Sequence, residues 1–212
     1  MNAPPSCMPR IVILAAGFSR RLGKPKALAR VHSVSLLRRT ALLLQPFVHT
    51  PLIVIAPPRC GRYAVELRGL RTQLRVNRDR SRGLSSSVRL GLALARHSAA
   101  ALLVSVDLAG LQSGDVRRLL ARWCGSRRRV AARRVGAAGG APLILPKWLF
   151  GAARHLQGDT GLREWLRGLE DGQCVLLDLP SAAADVDTAL DLRDARLSSR
   201  GFGRGGSRPP FR

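Results

Sequence analysis

The sequence predicts one α/β domain in which helices cover both faces of a largely parallel sheet. Two observations support this fold class. Short apolar runs that suit strands buried on both faces recur along the chain, and segments with the apolar spacing of amphipathic helices separate them. Such alternation is typical of a three-layer α/β/α architecture, and 212 residues suffice for one domain of this kind with a substantial core.

Strands and helices alternate along the predicted domain. Ser113 is a candidate N-cap with Asp115 in the first turn behind it, and Asp187 with Thr188 could cap a last helix that ends near residue 195. The predicted strands are residues 10–15, 52–56, 72–76, 101–106, 130–132, 142–145 and 173–177, and the other predicted helices are residues 35–46, 60–69, 88–94, 113–123, 147–155 and 160–169.

The predicted domain covers residues 10–197. Residues 1–9 read as a disordered lead-in, and the segment from Ser198 onward is rich in glycine, arginine and proline, which is typical of a disordered tail. No signal peptide is recognisable, and no apolar stretch is long enough to span a bilayer. Four cysteines without disulfide or zinc spacing favour separate thiols in a reducing cytoplasm; they are Cys7, Cys60, Cys124 and Cys174.

A formal net charge of +23 raises the question of a nucleic-acid partner. Of the 36 basic residues only Lys24, Lys26 and Lys147 are lysine, and this skew toward arginine is what a GC-rich genome produces. The arginines are spread over nearly every segment, and aromatic residues for base stacking are few. We therefore expect nucleic acid to bind only non-specifically and in a salt-sensitive way.

The most informative stretch is Ile11 to Leu28, IVILAAGFSRRLGKPKAL. A buried strand leads into a glycine turn and then into four clustered cations, an arrangement that suits a polyanion because a phosphate can approach backbone N–H groups closely there. The spacing fits neither the Walker loop nor the dinucleotide fingerprint. Ligands of parallel sheets lie beyond the carboxyl ends of the strands, so this loop and Asp107, which ends another predicted strand, are expected to face one another.

Residues Leu14 to Lys26 read L-A-A-G-x-S-x-R-x-G-x-P-K, which resembles the signature loop of the MobA-like nucleotidyltransferases. That family includes the molybdenum cofactor cytidylyltransferases and guanylyltransferases. Five further segments resemble family motifs in the family's order, so the resemblance extends from residue 11 to about residue 195. They are GLSSSVRLG at 83–91, SVDLAGL at 105–111, GGAP at 139–142, LQGDTGLR at 156–163 and DVDTALDL at 185–192.

The resemblance implies a Rossmann-like nucleotidyltransferase fold of the nucleotide-diphospho-sugar transferase type. It implies transfer of a nucleoside monophosphate from a nucleoside triphosphate to a phosphate on a small acceptor, with Mg²⁺ as cofactor and pyrophosphate as leaving group. The resemblance implies catalytic roles for Lys26, Arg21 and Asp107, and a metal site formed by Asp107 and Asp187, with Asp185 as the weaker alternative to Asp187. The nucleotide-binding residues that it implies are Leu14, Ala15, Ala16, Gly17, Gly83, Ser86 and Ser87. The acceptor-binding residues that it implies are Gly140, Pro142, Asp159 and Arg163.

By the same resemblance the nucleotide is CTP, with GTP as the alternative, and the acceptor is molybdopterin or the molybdenum cofactor. The product would serve a molybdenum hydroxylase or its maturation factor. Alanine stands at three positions where the family carries other residues, Ala109, Ala141 and Ala189. Two other interpretations therefore stay open: a homologue that binds nucleotide without catalysis, and a basic nucleic-acid-binding protein on the same fold. Helix capping is the structural alternative for the roles of Asp107 and Asp187.

Overall fold

A seven-stranded sheet forms the centre of the fold. The computed structural model describes residues 8–19, 22–159, 161–170, 172–183, 188, 190, 191 and 193. The strands are β1 Arg10–Leu14, β2 Arg30–Val31, β3 Val34–Ser35, β4 Leu52–Ala56, β5 Thr72–Val76, β6 Ala100–Ser105, β7 Val130–Val135, β8 Ala138–Pro146 and β9 Cys174–Leu177. The helices are α1 Leu36–Leu44, α2 Gly61–Glu66, α3 Leu84–Leu94, α4 Ser113–Cys124 and α5 Gly161–Arg167.

The strand order of the main sheet is β5-β4-β1-β6-β8-β7-β9. The four strands β5, β4, β1 and β6 are parallel, and β8 runs antiparallel to both of its neighbours. β9 pairs with β7 in parallel. The carboxyl ends of β1 and β6 therefore lie side by side, and the amino-terminal half of β8 reaches the same edge, since β8 runs in the opposite direction.

Alternate side chains of the central strands enter two separate cores, which confirms the three-layer architecture. Ile11 and Ile13 of β1 pack with residues of α1 and α4 on one face. Val12 and Leu14 pack with residues of α3 and α5 on the other face. At Gly91 of α3, an added Cβ would lie 2.7 Å from Cγ1 of Val12, so the absence of a side chain lets this helix approach β1.

Several predicted elements differ from the structure: the strand predicted at 130–132 continues to Val135, and the N-cap of α4 is Gln112 and not Ser113. Residues 147–155 form two 3₁₀ turns, Lys147–Leu149 and Ala152–His155, in place of one helix. The strand predicted at 142–145 is the longer β8, because Gly139 and Gly140 extend it: a Cβ on Gly140 would lie 2.9 Å from Val135. Helix α3 begins earlier than predicted, at Leu84.

A small antiparallel hairpin of β2 and β3 was not predicted. His32 and Ser33 turn the chain there with positive φ angles of 48° and 69°. This is the backbone of a tight hairpin turn, which Asn and Gly adopt more readily than His and Ser. The sequence therefore lacks the residues by which such a turn is usually recognised.

Residues 1–7 and the predicted tail from Ser198 onward lie outside the described residues, so the domain limits 10–197 stay a prediction. Met8 and Pro9, which were predicted to belong to the disordered lead-in, are described: Pro9 is buried and Met8 packs against the core that contains Ile11. Near the carboxyl end, the Thr188 amide donates to Oδ2 of Asp191 at 2.7 Å, and the Asp191 amide donates to Oγ1 of Thr188 at 3.2 Å. These are the two hydrogen bonds of a capping box. Within the described part of the chain, no helix has the length and apolar character needed to cross a membrane.

Candidate active site

A cleft of about 520 Å³ lies at the carboxyl ends of β1 and β6. Its walls are the loops after these two strands, the start of α3, the first half of β8 and the segment around the start of α5. The predicted site residues that line it are Leu14, Ala15, Ala16, Gly17, Lys26, Gly83, Ser87, Asp107, Gly140, Asp159 and Arg163. Ser86 and Pro142 do not line it, and Arg21, Asp185 and Asp187 lie outside the described residues.

The loop after β1 is fixed at both ends. At its start, the Ala15 amide donates to the Ile55 carbonyl of β4 at 2.9 Å. At its end, the Lys26 amide donates to Oγ of Ser19 at 2.8 Å. In the described part of the chain, the amides of Ala16 and Gly17 have no protein acceptor. Two amides at the mouth of a parallel sheet can therefore donate to an anion.

Lys26 and Asp107 face each other across the cleft, as the sequence predicted. Nζ of Lys26 lies 3.4 Å from Oδ2 of Asp107. The lysine side chain is 13% exposed and the aspartate side chain 27%. The site thus holds a cation and a carboxylate side by side, both shielded from bulk water and both accessible from the cleft.

The surroundings of Asp107 fit a divalent cation that shares its ligands with a substrate. The described residues contain no group of three or more acidic, histidine or cysteine side chains that could enclose a metal. Mg²⁺ needs no such cage, because one or two carboxylates together with substrate phosphates and water satisfy it. The half-buried Asp107 carboxylate, which lines the cleft, meets this requirement.

The turn after Asp107 is ordered although Ala109 replaces the proline that is expected from the family resemblance. The Ala109 amide donates to the Asp107 carbonyl at 2.8 Å, and Nε of Arg39 donates to the Ala109 carbonyl at 3.2 Å. One hydrogen bond within the turn and one from Arg39 of α1 thus hold the backbone that carries the carboxylate. This substitution does not remove Asp107 from the cleft.

The turn that precedes α5 supplies hydrogen-bond acceptors for the first amides of α3. The Leu84 amide donates to Oδ1 of Asp159 at 2.7 Å, and the Ser85 amide donates to the Gly158 carbonyl at 3.0 Å. Gly83 has a φ of +82°, and a Cβ there would lie 2.6 Å from the carbonyl carbon of Gly158. Only glycine fits this contact, which joins the predicted nucleotide wall to the predicted acceptor wall.

The serines of α3 are mainly structural. Nδ2 of Asn77 donates to Oγ of Ser86 at 2.8 Å and to Oγ of Ser87 at 2.9 Å, and the Ser86 hydroxyl donates to the Gly83 carbonyl at 2.7 Å. The Ser86 hydroxyl is therefore occupied within the protein, and only Ser87 reaches the cleft. Asn77 was not singled out from the sequence; its position directly after β5 is the signal that could have identified it.

On the predicted acceptor side, Arg133 of β7 is a cleft residue that sequence reasoning missed. Its side chain is 6% exposed, lines the cleft near Gly140 and Ala141, and donates to the Ala182 carbonyl. Arg163 of α5 is exposed at the same end. The cleft therefore carries positive charge at both ends, which suits two anionic ligands.

A second arginine that the sequence did not single out contacts the loop after β1. Nη2 of Arg80 donates to the Gly17 carbonyl at 3.2 Å, and its guanidinium lies 3.9 Å from the centroid of the Phe18 ring. Arg80 and Phe18 both line the cleft. No sequence motif distinguishes this arginine from its many neighbours.

The sheet order and the phosphate-compatible cleft together define an α/β protein with a nucleotidyltransferase fold. The sequence model of the MobA-like NTP transferase domain matches residues 11–174, and the chain belongs to this family. No curated protein matches the chain.

Solved structures with the same fold cover nearly the whole chain. A homolog of Mycobacterium tuberculosis Rv0371c from Mycobacterium sp. strain JC1 is 29% identical, with a TM-score of 0.68 over 91% of this chain and 96% of its own. Rv0371c from Mycobacterium tuberculosis H37Rv, in complex with manganese, is 24% identical, with a TM-score of 0.69 over 89% and 97%. Molybdopterin-guanine dinucleotide biosynthesis protein A from Archaeoglobus fulgidus is 13% identical, with a TM-score of 0.69 over 90% and 98%.

Proposed function

We propose that the protein transfers a nucleoside monophosphate, CMP from CTP, to the terminal phosphate of molybdopterin or the molybdenum cofactor. An acceptor phosphate oxygen attacks the α-phosphorus, the bond between that phosphorus and the α–β bridging oxygen breaks, and pyrophosphate leaves. One observation carries the proposal: Nζ of Lys26 and Oδ2 of Asp107 lie 3.4 Å apart in a cleft that is also lined by Ala16 and Gly17.

The chain's own groups suit this reaction because phosphoryl transfer needs alignment and charge neutralisation more than covalent chemistry. The Ala16 and Gly17 amides would donate to phosphate oxygens, and Lys26 would stabilise the charge that develops at the α-phosphate. Asp107 would hold the divalent ion, with Asp187 as the proposed second ligand, and Arg21 would bind the departing pyrophosphate. When bound, the ion, which is Mg²⁺ in this proposal, would neutralise negative charge on the triphosphate oxygens. The manganese complex of the Mycobacterium tuberculosis relative supports a divalent cation.

The choice of acceptor rests on family membership and on the basic far end of the cleft. Arg133, Arg163 and the backbone of Gly140 would receive an anionic acceptor there. The Archaeoglobus fulgidus relative, whose name places it in molybdopterin-guanine dinucleotide synthesis, supports a molybdopterin acceptor and makes GTP the alternative nucleotide. The preference for CTP rests on the signature loop together with the late G-D-x-G-x-R segment. The product would be used in the cytoplasm by a molybdenum hydroxylase or its maturation factor.

Pyrophosphate release tests the proposal. The purified protein with Mg²⁺ is offered each of the four ribonucleoside triphosphates, with and without molybdenum cofactor. We expect release with CTP that depends on the acceptor and falls at least about a hundredfold in Asp107→Asn. Asp178→Asn, which removes an exposed surface carboxylate, is the matched control and should leave release unchanged.

The other outcomes separate the alternatives. Release with GTP would keep the mechanism and change the nucleotide. Binding of a triphosphate without release for any acceptor tested would favour the non-catalytic homologue. Neither binding nor release would contradict the proposed function and return attention to a nucleic-acid partner.

A further inference from the structure

We propose that Arg80 is a positioning residue that holds the loop after β1 in the conformation that receives the nucleotide. The proposal rests on the proposed function, because it assumes that this loop binds a triphosphate. It adds a residue outside every segment that carries the family resemblance. Arg80 lies in the 3₁₀ turn Arg80–Arg82, between β5 and α3, 63 positions from the loop that it contacts.

Arg80 makes two contacts with adjacent residues of the loop. Its Nη2 donates to the Gly17 carbonyl at 3.2 Å, and its guanidinium carbon lies 3.9 Å from the centroid of the Phe18 ring. Phe18 is 48% exposed, so the ring is not held by a surrounding core. A guanidinium at this distance from an aromatic face is within the range of a cation–π interaction. The arginine therefore holds one peptide unit by its carbonyl and by the side chain that follows it.

Holding the Gly17 carbonyl also fixes the direction of the next amide. The peptide unit is planar and trans, so the C=O of Gly17 and the N–H of Phe18 point to opposite sides of the chain. A carbonyl turned toward Arg80 therefore sets the direction of the Phe18 amide, which directly follows the Ala16 and Gly17 amides that are proposed to bind phosphate. Gly17 itself adds little restraint to the loop, because glycine has the widest range of backbone conformations.

The contact requires the shape of arginine as well as its charge. A planar guanidinium can cover a ring with its face while its edge donates a hydrogen bond, and an ammonium group cannot do both. Nε of Arg80 is shielded from solvent, and no acceptor for it occurs among the described residues, as expected for a group placed against a ring. Arg82, two positions further along, is exposed and does not line the cleft.

The expected loss of nucleotide affinity follows from the fraction of time that the loop spends in its binding conformation. If the loop occupies its binding conformation only part of the time, the apparent affinity falls by that fraction. Losing a charge-assisted hydrogen bond and a cation–π contact together should weaken CTP binding about 5- to 20-fold. A lysine at position 80 keeps the charge and should still show most of this loss.

Calorimetric titration of the full chain with CTP and Mg²⁺, paired with hydrogen–deuterium exchange of the nucleotide-free protein, tests the proposal. Arg80→Lys and Phe18→Leu should each weaken binding and speed exchange of the amides in residues 15–19. Phe18→Tyr keeps the aromatic face, so its CTP affinity and amide exchange should match those of the wild type. The double variant Arg80→Lys/Phe18→Leu should lose less than the product of the two single effects, because both remove one contact. Arg82→Lys is the matched control and should match the wild type.

The outcomes distinguish this proposal from the proposed function. If the wild type binds CTP and Arg80→Lys binds and exchanges like it, Arg80 is not a positioning residue and the proposed function stands. If Arg82→Lys weakens binding as much as Arg80→Lys, bulk charge is responsible and the proposal is overturned. If the wild type binds no nucleoside triphosphate, the proposed function fails and the role of Arg80 fails with it. A variant that unfolds globally is recognised by fast exchange in every segment. Loss of binding through unfolding is therefore distinguished from loss of binding through a change in residues 15–19.

Discussion

Nζ of Lys26 lies 3.4 Å from Oδ2 of Asp107, although 81 positions separate the two residues in the chain. The contact exists because β1 and β6 are adjacent parallel strands, paired from Arg10 with Ala101 to Leu14 with Ser105. Each strand delivers its functional loop to the same edge of the sheet. The two side chains partly neutralise each other, so neither charge is buried alone.

The first prediction concerns competition between Lys26 and a metal ion for Asp107. Lys26→Met should bind Mn²⁺ about three- to tenfold more tightly than the wild type in the absence of nucleotide, because a neighbouring positive charge is removed. Pyrophosphate release should nevertheless fall at least about a hundredfold, because the charge at the α-phosphate is no longer stabilised. Electron paramagnetic resonance of free Mn²⁺ measures the affinity.

Lys24→Met provides the matched control for that prediction. Lys24 lies in the same loop but is exposed and does not line the cleft. The Lys24→Met variant should therefore have nearly the same Mn²⁺ affinity and turnover as the wild type. Weaker Mn²⁺ binding in Lys26→Met would contradict the assignment of Asp107 as the metal ligand.

The second prediction concerns the closed contact at Gly83. Gly83→Ala should lower the free energy of unfolding by about 2–4 kcal/mol, because an added Cβ meets the Gly158 backbone at 2.6 Å and φ is +82°. Urea unfolding measures the change. Gly69→Ala separates the two causes, since Gly69 has a φ of +80° but no atom within 4 Å of the added Cβ. Equal losses in the two variants would show that contact with the 158–159 turn contributes nothing.

The third prediction concerns the pKa of Tyr63. Burial raises the pKa of this phenol above its ordinary value, and the charge of Arg80 lowers it by a smaller amount. Arg80→Gln should therefore raise the Tyr63 pKa further. Tyr63 is the single tyrosine of the chain, so absorbance near 295 nm during an alkaline titration follows it directly. Arg82→Gln should leave the curve unchanged, and an unshifted curve in Arg80→Gln would place Arg80 away from Tyr63 in solution.

The same shift has a consequence for stability at alkaline pH. The folded pKa of Tyr63 lies above the unfolded value of about 10, so the neutral phenol is favoured in the folded state. This contribution is fully present below the unfolded pKa and is lost as the pH rises through the folded pKa. Stability near neutral pH therefore does not vary with the ionisation of Tyr63.

The fourth prediction concerns the packing of α3 on β1. Gly91→Ala should destabilise the fold by about 1–3 kcal/mol, because the new Cβ would lie 2.7 Å from Cγ1 of Val12. Val12→Ala removes that methyl group but leaves a cavity. The double variant should be more stable than the sum of the two single effects predicts, since each change relieves the defect of the other. Strict additivity in thermal unfolding would contradict direct contact.

The central strands and the facing of Lys26 and Asp107 could be predicted because they depend on local patterns. Val12, Ile13 and Leu14 are apolar on both sides of the strand, which marks a parallel sheet covered on both faces. The length of β8 could not be predicted in this way. Gly139 and Gly140 resemble loop residues in the sequence, but in the structure they pair with β7 as part of β8, where Ala132 and Val135 leave little room for a side chain.

The roles of Asn77, Arg80 and Arg133 depend on tertiary neighbours that the sequence does not display. With 33 arginines in the chain, neither the residue type nor its spacing indicates which guanidinium is buried or stacked. The position of Ser86 in a family-like segment predicts a nucleotide contact, and this role stays a prediction. In the structure the Ser86 hydroxyl accepts from Asn77 and donates to the Gly83 carbonyl, and Ser86 does not line the cleft. Recognition of a segment therefore predicts the wall of the cleft better than it predicts which atoms of that wall are available.

The hydrogen bonds from Leu84 and Ser85 to the turn at Gly158 and Asp159 limit how the enzyme could be redesigned. The chain segments proposed to recognise the base and the acceptor share backbone contacts, so they do not form interchangeable modules. A loop grafted from a relative to change the base would also need the partner turn of that relative. Libraries that vary residues 83–87 and 157–159 together should therefore yield more folded variants than libraries that exchange either segment alone.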